Sequence, residues 1–159
     1  MKKCLHCDHN FVSENWACPK CGVSPEKSGK YLMFAPEFAY ENSGFHINYF
    51  HDLLSLEENN YWFRSRNRLI VWALQNYFSN TTKLLEIGCG TGFVLQAIGE
   101  GSPQIELSGS EVLLAGLPFS EERLPGTAFF QIDACNIPFF EEFDVIGAFD
   151  VLEHIEDDQ

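Results

Sequence analysis

The chain has 159 residues, is 45% apolar, and carries a net charge of −13 with six cysteines. That length suits one compact domain with room for a small module, and fifteen Phe supply ample core. No apolar run reaches the roughly eighteen residues a spanning helix needs, the start Met1-Lys2-Lys3-Cys4 has no apolar signal region, and so acidic a surface disfavours nucleic acid.

The charge is uneven. Residues 1–30 carry five Lys against three acids, residues 31–82 carry Arg64, Arg66 and Arg68 against five acids, and residues 83–159 carry Lys83 and Arg123 against fifteen. Residues 1–29 are expected to form a module of their own. Cys4-x2-Cys7 and Cys18-Pro19-Lys20-Cys21-Gly22 offer four thiolates for a tetrahedral Zn²⁺, and so short a piece needs the metal to fold. Pairs reserved for metal point to a reducing, cytoplasmic compartment. His6 and His9 lie beside the ligands as substitutes or, as the plainer reading has it, as solvent-facing neighbours.

Ser24 to Lys30 reads as a polar linker, and Tyr31 to Phe45 as aromatic and irregular, broken by Pro36 and Gly44. A short amphipathic helix is predicted over Asn48–Leu56, so residues 30–59 make an aromatic linker with one helix. The spacing of Trp62, Phe63, Leu69, Ile70, Ala73, Leu74 and Tyr77 predicts a longer helix over Asn60–Phe78. Tyr61, Trp62 and Phe63 are expected in its core face.

From there the pattern alternates. Strands are predicted at Lys83–Ile87, Gln104–Gly109, Thr127–Ile132 and Phe143–Phe149, with helices from Thr91 to about Glu100, over Leu113–Arg123, and from about Asp150. The fold class is α/β: a Rossmann-like parallel sheet with helices on both faces, over residues 60–159. Leu84-Leu85-Glu86-Ile87-Gly88-Cys89-Gly90-Thr91-Gly92 then reads as a buried strand, an acidic end and a glycine turn opening a helix. Phe93 defeats the dinucleotide spacing GxGxxG, and no Gly-Lys-Ser/Thr follows for a phosphate loop. Glu111 stands about twenty residues on, where a carboxylate takes ribose hydroxyls. Asp133-Ala134 follows the third strand and Asp150 the fourth, so one rim of the sheet is acidic and suits a cationic ligand.

These motifs in this order, with Asp150-Val151-Leu152-Glu153-His154 at the end, resemble the class I S-adenosylmethionine-dependent methyltransferases, most closely the small-molecule type with Asp-x-Leu-Glu-His. The segment Tyr61 to Arg68 resembles the aromatic-arginine helix that precedes that fold in many bacterial members. Residues 1–29 are similar to the zinc ribbons at the front of many proteins. The resemblance implies that Gly88, Cys89, Gly90 and Gly92 wrap the methionine part of S-adenosylmethionine, with Glu86 near its ammonium. It implies that Glu111 binds the ribose, that Asp133 and the Ala134 N–H hold the adenine, that Ile132 and Leu152 line the pockets, and that Asp150 borders the cofactor. Arg64 or Arg68 is the expected partner of the methionine carboxylate, and His154 the candidate base.

Plainer readings stand beside these: Asp150 and Glu153 as a helix capping pair, Cys89 and Cys135 as small fillers, and the three Arg as a solvated face. The family's sheet usually has seven strands against four counted here, so a fragment of a longer enzyme is expected. Otherwise a second copy or a partner covers the apolar edge of the fourth strand. The functional expectation is methyl transfer to a small-molecule acceptor, with structural Zn²⁺ in an accessory ribbon and no membrane. The alternatives are a non-catalytic zinc-ribbon adaptor on a cofactor-binding half-fold, or an rRNA methyltransferase.

Overall fold

The computed structural model describes residues 1–40 and 48–155, so Gly44, Phe45 and the final residues 156–159 lie outside the described residues. Two short antiparallel strands open the chain, β1 (Lys2–Lys3) and β2 (Asn10–Phe11). β3 (Glu26–Ser28) and β4 (Tyr31–Met33) follow, then helices α1 (Asn48–Glu57) and α2 (Tyr61–Tyr77). The alternating part comprises β5 (Lys83–Ile87), α3 (Phe93–Gly101), β6 (Glu106–Glu111), α4 (Leu117–Arg123), β7 (Ala128–Gln131) and β8 (Val145–Ala148). The main sheet has the order β3-β4-β7-β6-β5-β8 and is parallel except for the β3–β4 pair. This is the Rossmann-like α/β architecture, with the order of the strands reversing at β5.

β5 is the middle of that reversal, and Leu84 and Leu85 are both fully buried, one on each face. Leu84 belongs to a core shared with Leu74 of α2, Val94, Leu95 and Ile98 of α3, Leu117 of α4 and Phe129 of β7. Phe130, next in β7, points the opposite way into an aromatic group with Phe34, Trp16 and Phe139. Asp144, ahead of β8, accepts from the Thr82 N–H and hydroxyl (both 2.7 Å) and the Lys83 N–H (3.0 Å), which sets β8 against β5. Those bonds hold its carboxyl below the usual range, the Thr82 hydroxyl most of all.

Four sequence expectations are corrected. The supposed linker at residues 24–30 is a hairpin with the two-residue loop Gly29-Lys30, and it adds β3 and β4 to the β7 edge of the sheet. Polar residues masked it, because both strands are very short and half exposed. The core face of α2 is also different. Tyr61, Leu69 and Tyr77 are 81%, 63% and 70% exposed and Trp62 is half exposed, whereas Phe63, Asn67, Ile70 and Leu74 face inward. Apolar residues lie on two sides of this helix, and the wrong stripe was the more aromatic one. Finally, no helix begins at Asp150. Residue 150 takes a left-handed φ of +58°, and only a short 3-10 turn (Leu152–His154) follows, with Val151 rather than Asp150 at its cap. β6 also starts two residues later than expected, so Glu111 is its last residue and not the one after it.

Gln131 welds the hairpin to the sheet. It is fully buried, accepts from the Ala35 N–H (3.0 Å), and donates to the carbonyls of Ala35 (2.7 Å) and Val112 (2.8 Å). Gln131→Ala strands the Ala35 N–H and the Val112 carbonyl, while the Ala35 carbonyl keeps the Phe38 N–H (3.0 Å), so we expect a loss of about 2–4 kcal/mol in urea unfolding. A loss below about 0.5 kcal/mol would show that the hairpin edge is not held this way.

Candidate functional site

The site is built where β5 hands over to α3. Glu86 closes the strand and is 2% exposed. Gly88, Gly90 and Gly92 then take φ values of +68°, +53° and +78°. Gly88 has no room for a side chain, since a Cβ there would run into Val151 beyond β8. A Cβ on Gly90 would meet nothing within 4 Å, so this peptide borders open space. The turn thus packs on one side and offers bare backbone on the other, as a ligand requires. Gly92 caps α3 and packs against Ser120 of α4.

Glu111 ties this turn to the end of β6. Its Oε2 accepts from the Gly90 N–H (3.1 Å) and its Oε1 from the Leu113 N–H (3.2 Å). A carboxylate has about four lone-pair positions, so both oxygens keep accepting capacity for a ligand's hydroxyls. Burial raises the Glu111 carboxyl, and these N–H groups draw it back. Glu86 is more exposed to that conflict. Burial drives its carboxyl well above the usual range, Arg66 opposes this, and the charges of Glu111 and Glu57 add to it. Its Oε2 finds no hydrogen-bond partner among the described residues. An acid buried with an unpaired oxygen beside a glycine turn has the chemistry to receive a cationic group.

The arginine at this end of the sheet is Arg66, not Arg64 or Arg68, which lie in an outer groove between α2 and α3 with Trp72 and Gln96. Arg66 pairs with Asp150 and stacks over Trp62 and Phe63, at 5.1 and 5.3 Å from their ring centres. Asp150 therefore bridges β8 to α2 and does not form the capping pair with Glu153. The 3.6-residue period that places Phe63, Asn67 and Ile70 inward also selects Arg66, so this signal was present in the sequence.

A second buried group escaped sequence reasoning. Glu57, the last residue of α1, accepts from the Thr91 hydroxyl (2.6 and 2.7 Å) and from Arg123 Nη2 (3.0 Å). The side chains of Glu57 and Arg123 are only 5% and 8% exposed, and Arg123 also stacks on Phe93 at 4.9 Å. The group clamps α1 and α4 to the glycine turn. Arg123 is the one arginine among the fifteen acids of residues 83–159, which marks it for a buried pairing.

The other expected residues are dispersed around the rim. Cys89 is buried against the Ser120 hydroxyl (3.5 Å), with burial first among the causes that raise its thiol well above the ordinary value. Asp133 fixes its own loop, accepting from the Cys135 N–H (3.0 Å) and the Asn136 amide (2.8 Å). Ala134 is half-buried beside it and Ile132 is buried. Leu152 and His154 sit exposed on the 3-10 turn after β8.

At the other end of the chain, Cys4, Cys7, Cys18 and Cys21 place their sulfurs within 4.8 Å of one another. The Cys4–Cys21 and Cys7–Cys18 separations are both 3.7 Å, close to the roughly 3.8 Å edge of a tetrahedron with 2.3 Å metal–sulfur arms. The two loops repeat one hydrogen-bond pattern. Asp8 N–H donates to the Cys4 carbonyl and Cys4 N–H to that of His9, while Gly22 N–H donates to Cys18 and Cys18 N–H to Val23. His6 is exposed, and His9 stacks on Phe11 at 6.4 Å.

Residues 85–159 match a family described as a methyltransferase domain. Over this stretch the chain has the fold of the Rossmann-like methyltransferases. Over 68 residues it is 34% identical to a demethylmenaquinone methyltransferase from Thermotoga maritima, an overlap of 42% of this chain and 30% of that protein. The methyltransferase fold is shared with CalS10, an amino pentose methyltransferase from Micromonospora echinaspora involved in calicheamicin biosynthesis and solved with S-adenosylmethionine bound. The TM-score is 0.57 at 21% identity, over 74% of this chain and 48% of that one. It is also shared with the sugar N-methyltransferase KedS8 from Streptoalloteichus sp., with a TM-score of 0.58 at 18% identity, over 85% and 49%. The chain thus spans about half the length of these solved relatives. Among the described residues, no helix is long and apolar enough to cross a membrane.

The buried Glu86 gives a pH signature. A carboxyl raised on folding favours the folded state most below its unfolded value near 4.5, and that advantage is lost as pH rises through the folded value. Glu86→Gln should therefore gain stability over the parent chain as pH climbs above about 4.5, by up to about 1.4 kcal/mol per pH unit. Urea melts from pH 5 to 8 measure it, and a difference that does not change with pH would show that Glu86 is not perturbed.

Proposed function

We propose that the chain binds S-adenosylmethionine and transfers its methyl group to a small-molecule acceptor. The observation that carries this reading is the unpaired, buried Glu86 oxygen at the foot of an open glycine turn whose next neighbour is Glu111. The Thermotoga relative and the sugar methyltransferases are all enzymes of small acceptors by name, which supports the acceptor class. The strongly acidic second half supports it too, since phosphate backbones are repelled there.

When bound, S-adenosylmethionine supplies an activated methyl group for in-line displacement. The protein's share is positioning, so few residues need touch the reacting atoms. Glu86 answers the positive charge of the methionine end, and Arg66 stands near enough to meet its carboxylate. The Gly88–Gly92 backbone permits close approach. Glu111 takes the ribose hydroxyls on its remaining lone pairs, and Asp133 with the Ala134 N–H receives the adenine edge. His154, on the turn beyond β8, takes a proton where the acceptor has one to lose.

The four cysteines fit structural Zn²⁺ by donor type, count and spacing, and a metal of this kind stabilises a module too small to hold itself. Thiolate ligands of this kind, kept reduced, suit a cytoplasmic setting.

Calorimetric titration with S-adenosylmethionine and S-adenosylhomocysteine is the test. Both should bind, and Glu111→Ala should weaken them roughly 10- to 150-fold, the worth of one or two hydrogen bonds to a charged acceptor. His154→Ala should leave the affinities unchanged. Failure of the parent chain to bind either compound would refute the cofactor reading. Metal analysis should find about one zinc per chain, lost in Cys21→Ser, and a content far below that would refute the ribbon.

A further inference from the structure

The zinc-ligand module does not hang free of the rest of the chain. Residues 1–3 run antiparallel beside residues 138–140: the Lys3 N–H donates to the Pro138 carbonyl and the Phe140 N–H to that of Met1, both at 2.9 Å, with Lys2 opposite Phe139. Next to this strip, Trp16 packs edge-on against Phe139 at 5.5 Å and Phe34 at 4.6 Å. Lys2 Nζ lies 4.8 Å above the Trp16 ring and donates to the carbonyls of Ser13 (2.5 Å) and Asn15 (2.8 Å). It thereby ties the tryptophan segment to β1.

Both anchors are set beside metal ligands in the sequence. Lys3 immediately precedes Cys4, and Trp16 stands two residues before Cys18. Without a metal, the module has a pairing of two residues per strand, a small apolar cluster around Phe11, and four thiols, too little to fix either anchor. On the far side, the anchored Pro138–Phe140 segment ends the loop that begins at Ile132 and Asp133. That loop is closed at its start by Asp133's own hydrogen bonds to Cys135 and Asn136. Its other end is held by Phe139, which packs on Phe130, Phe143 and Trp16, and by the strip along residues 1–3.

We infer that the metal-bound ribbon is a buttress for the 133–140 loop, so that metal occupancy and affinity for the cofactor's adenine end are coupled. The inference deepens the proposed function and rests on its assignment of Asp133 and Ala134 to the adenine. The coupling is reciprocal: whatever factor metal removal takes from cofactor affinity, the cofactor returns in metal affinity.

The experiment uses the full chain, zinc-loaded and after chelation, with metal content measured in each. Hydrogen exchange by mass spectrometry reports the loop, and calorimetry with S-adenosylhomocysteine reports the site. Chelation should speed exchange in residues 133–140 while β5 and β6 stay protected, and should weaken S-adenosylhomocysteine by roughly 5- to 150-fold. Trp16→Ala should give both changes with zinc retained, and Trp16→Phe should restore most of the affinity. This second arm decides the matter if chelation unfolds the whole sheet. Unchanged exchange in residues 133–140 after complete metal removal would overturn the coupling, as would native affinity in Trp16→Ala. A zinc-loaded chain that fails to bind S-adenosylhomocysteine would instead refute the cofactor reading and the coupling with it.

Discussion

An acid held in the dry interior at the end of the central strand is the constraint around which this molecule is arranged. Glu86 sits between β6 and β8, under α3, with one oxygen left without a partner. Leaving a carboxylate there is unfavourable by several kcal/mol unless it is neutralised or paired. The fold does not remove that cost. It places Arg66 close enough to temper it and stations a second buried acid, Glu111, on the next strand. Two buried acids at the mouth of a glycine turn cost stability there, and the proposed gain is the capacity to bind something positive. Strain and unpaired charge concentrate at binding sites for this reason.

Around that point the structure divides into two supports. On the helical face, Glu57, Thr91 and Arg123 lock α1 and α4 onto the turn, while Gly92 lies against Ser120 of α4. On the opposite face, aromatic rings from Phe34, Phe130, Phe139 and Trp16 join the cysteine-bearing module to the sheet. The first support fixes the peptide that a ligand would touch. The second fixes the loop after β7, where Asp133 lies. The glycine turn and this loop are separate in sequence but flank the same carboxyl end of the sheet, where open α/β folds bind ligands.

How much of this was legible follows from the range over which each signal acts. β5 was read with its observed bounds because five consecutive residues, Lys83 to Ile87, pass from surface to full burial and end at a glycine. The cysteine pairs were legible for the same local reason. The hairpin of β3 and β4 was not, since Glu26, Lys27 and Ser28 carry no strand signal and owe their conformation to β4 and, through it, to β7. Gln131 reads as an ordinary polar residue until Ala35 and Val112 are brought to it. Asp150 and Glu153 have the spacing of a capping pair, yet Arg66, 84 residues away, takes the aspartate. Local pattern set the strands, and distant partners decided which polar residue does what.

The central claim is that Glu86 is the counter-charge for a bound cation, and proton release measures it most directly. Calorimetric titration of S-adenosylmethionine into the full chain, in buffers of different ionisation enthalpy from pH 5 to 8, reads the protons exchanged on binding. A cation that draws Glu86 into its charged form should expel a proton where that carboxyl is protonated in the free chain, and Glu86→Gln should expel none there. Tight binding with no proton released anywhere in that range, or the same release from Glu86→Gln, would contradict the account.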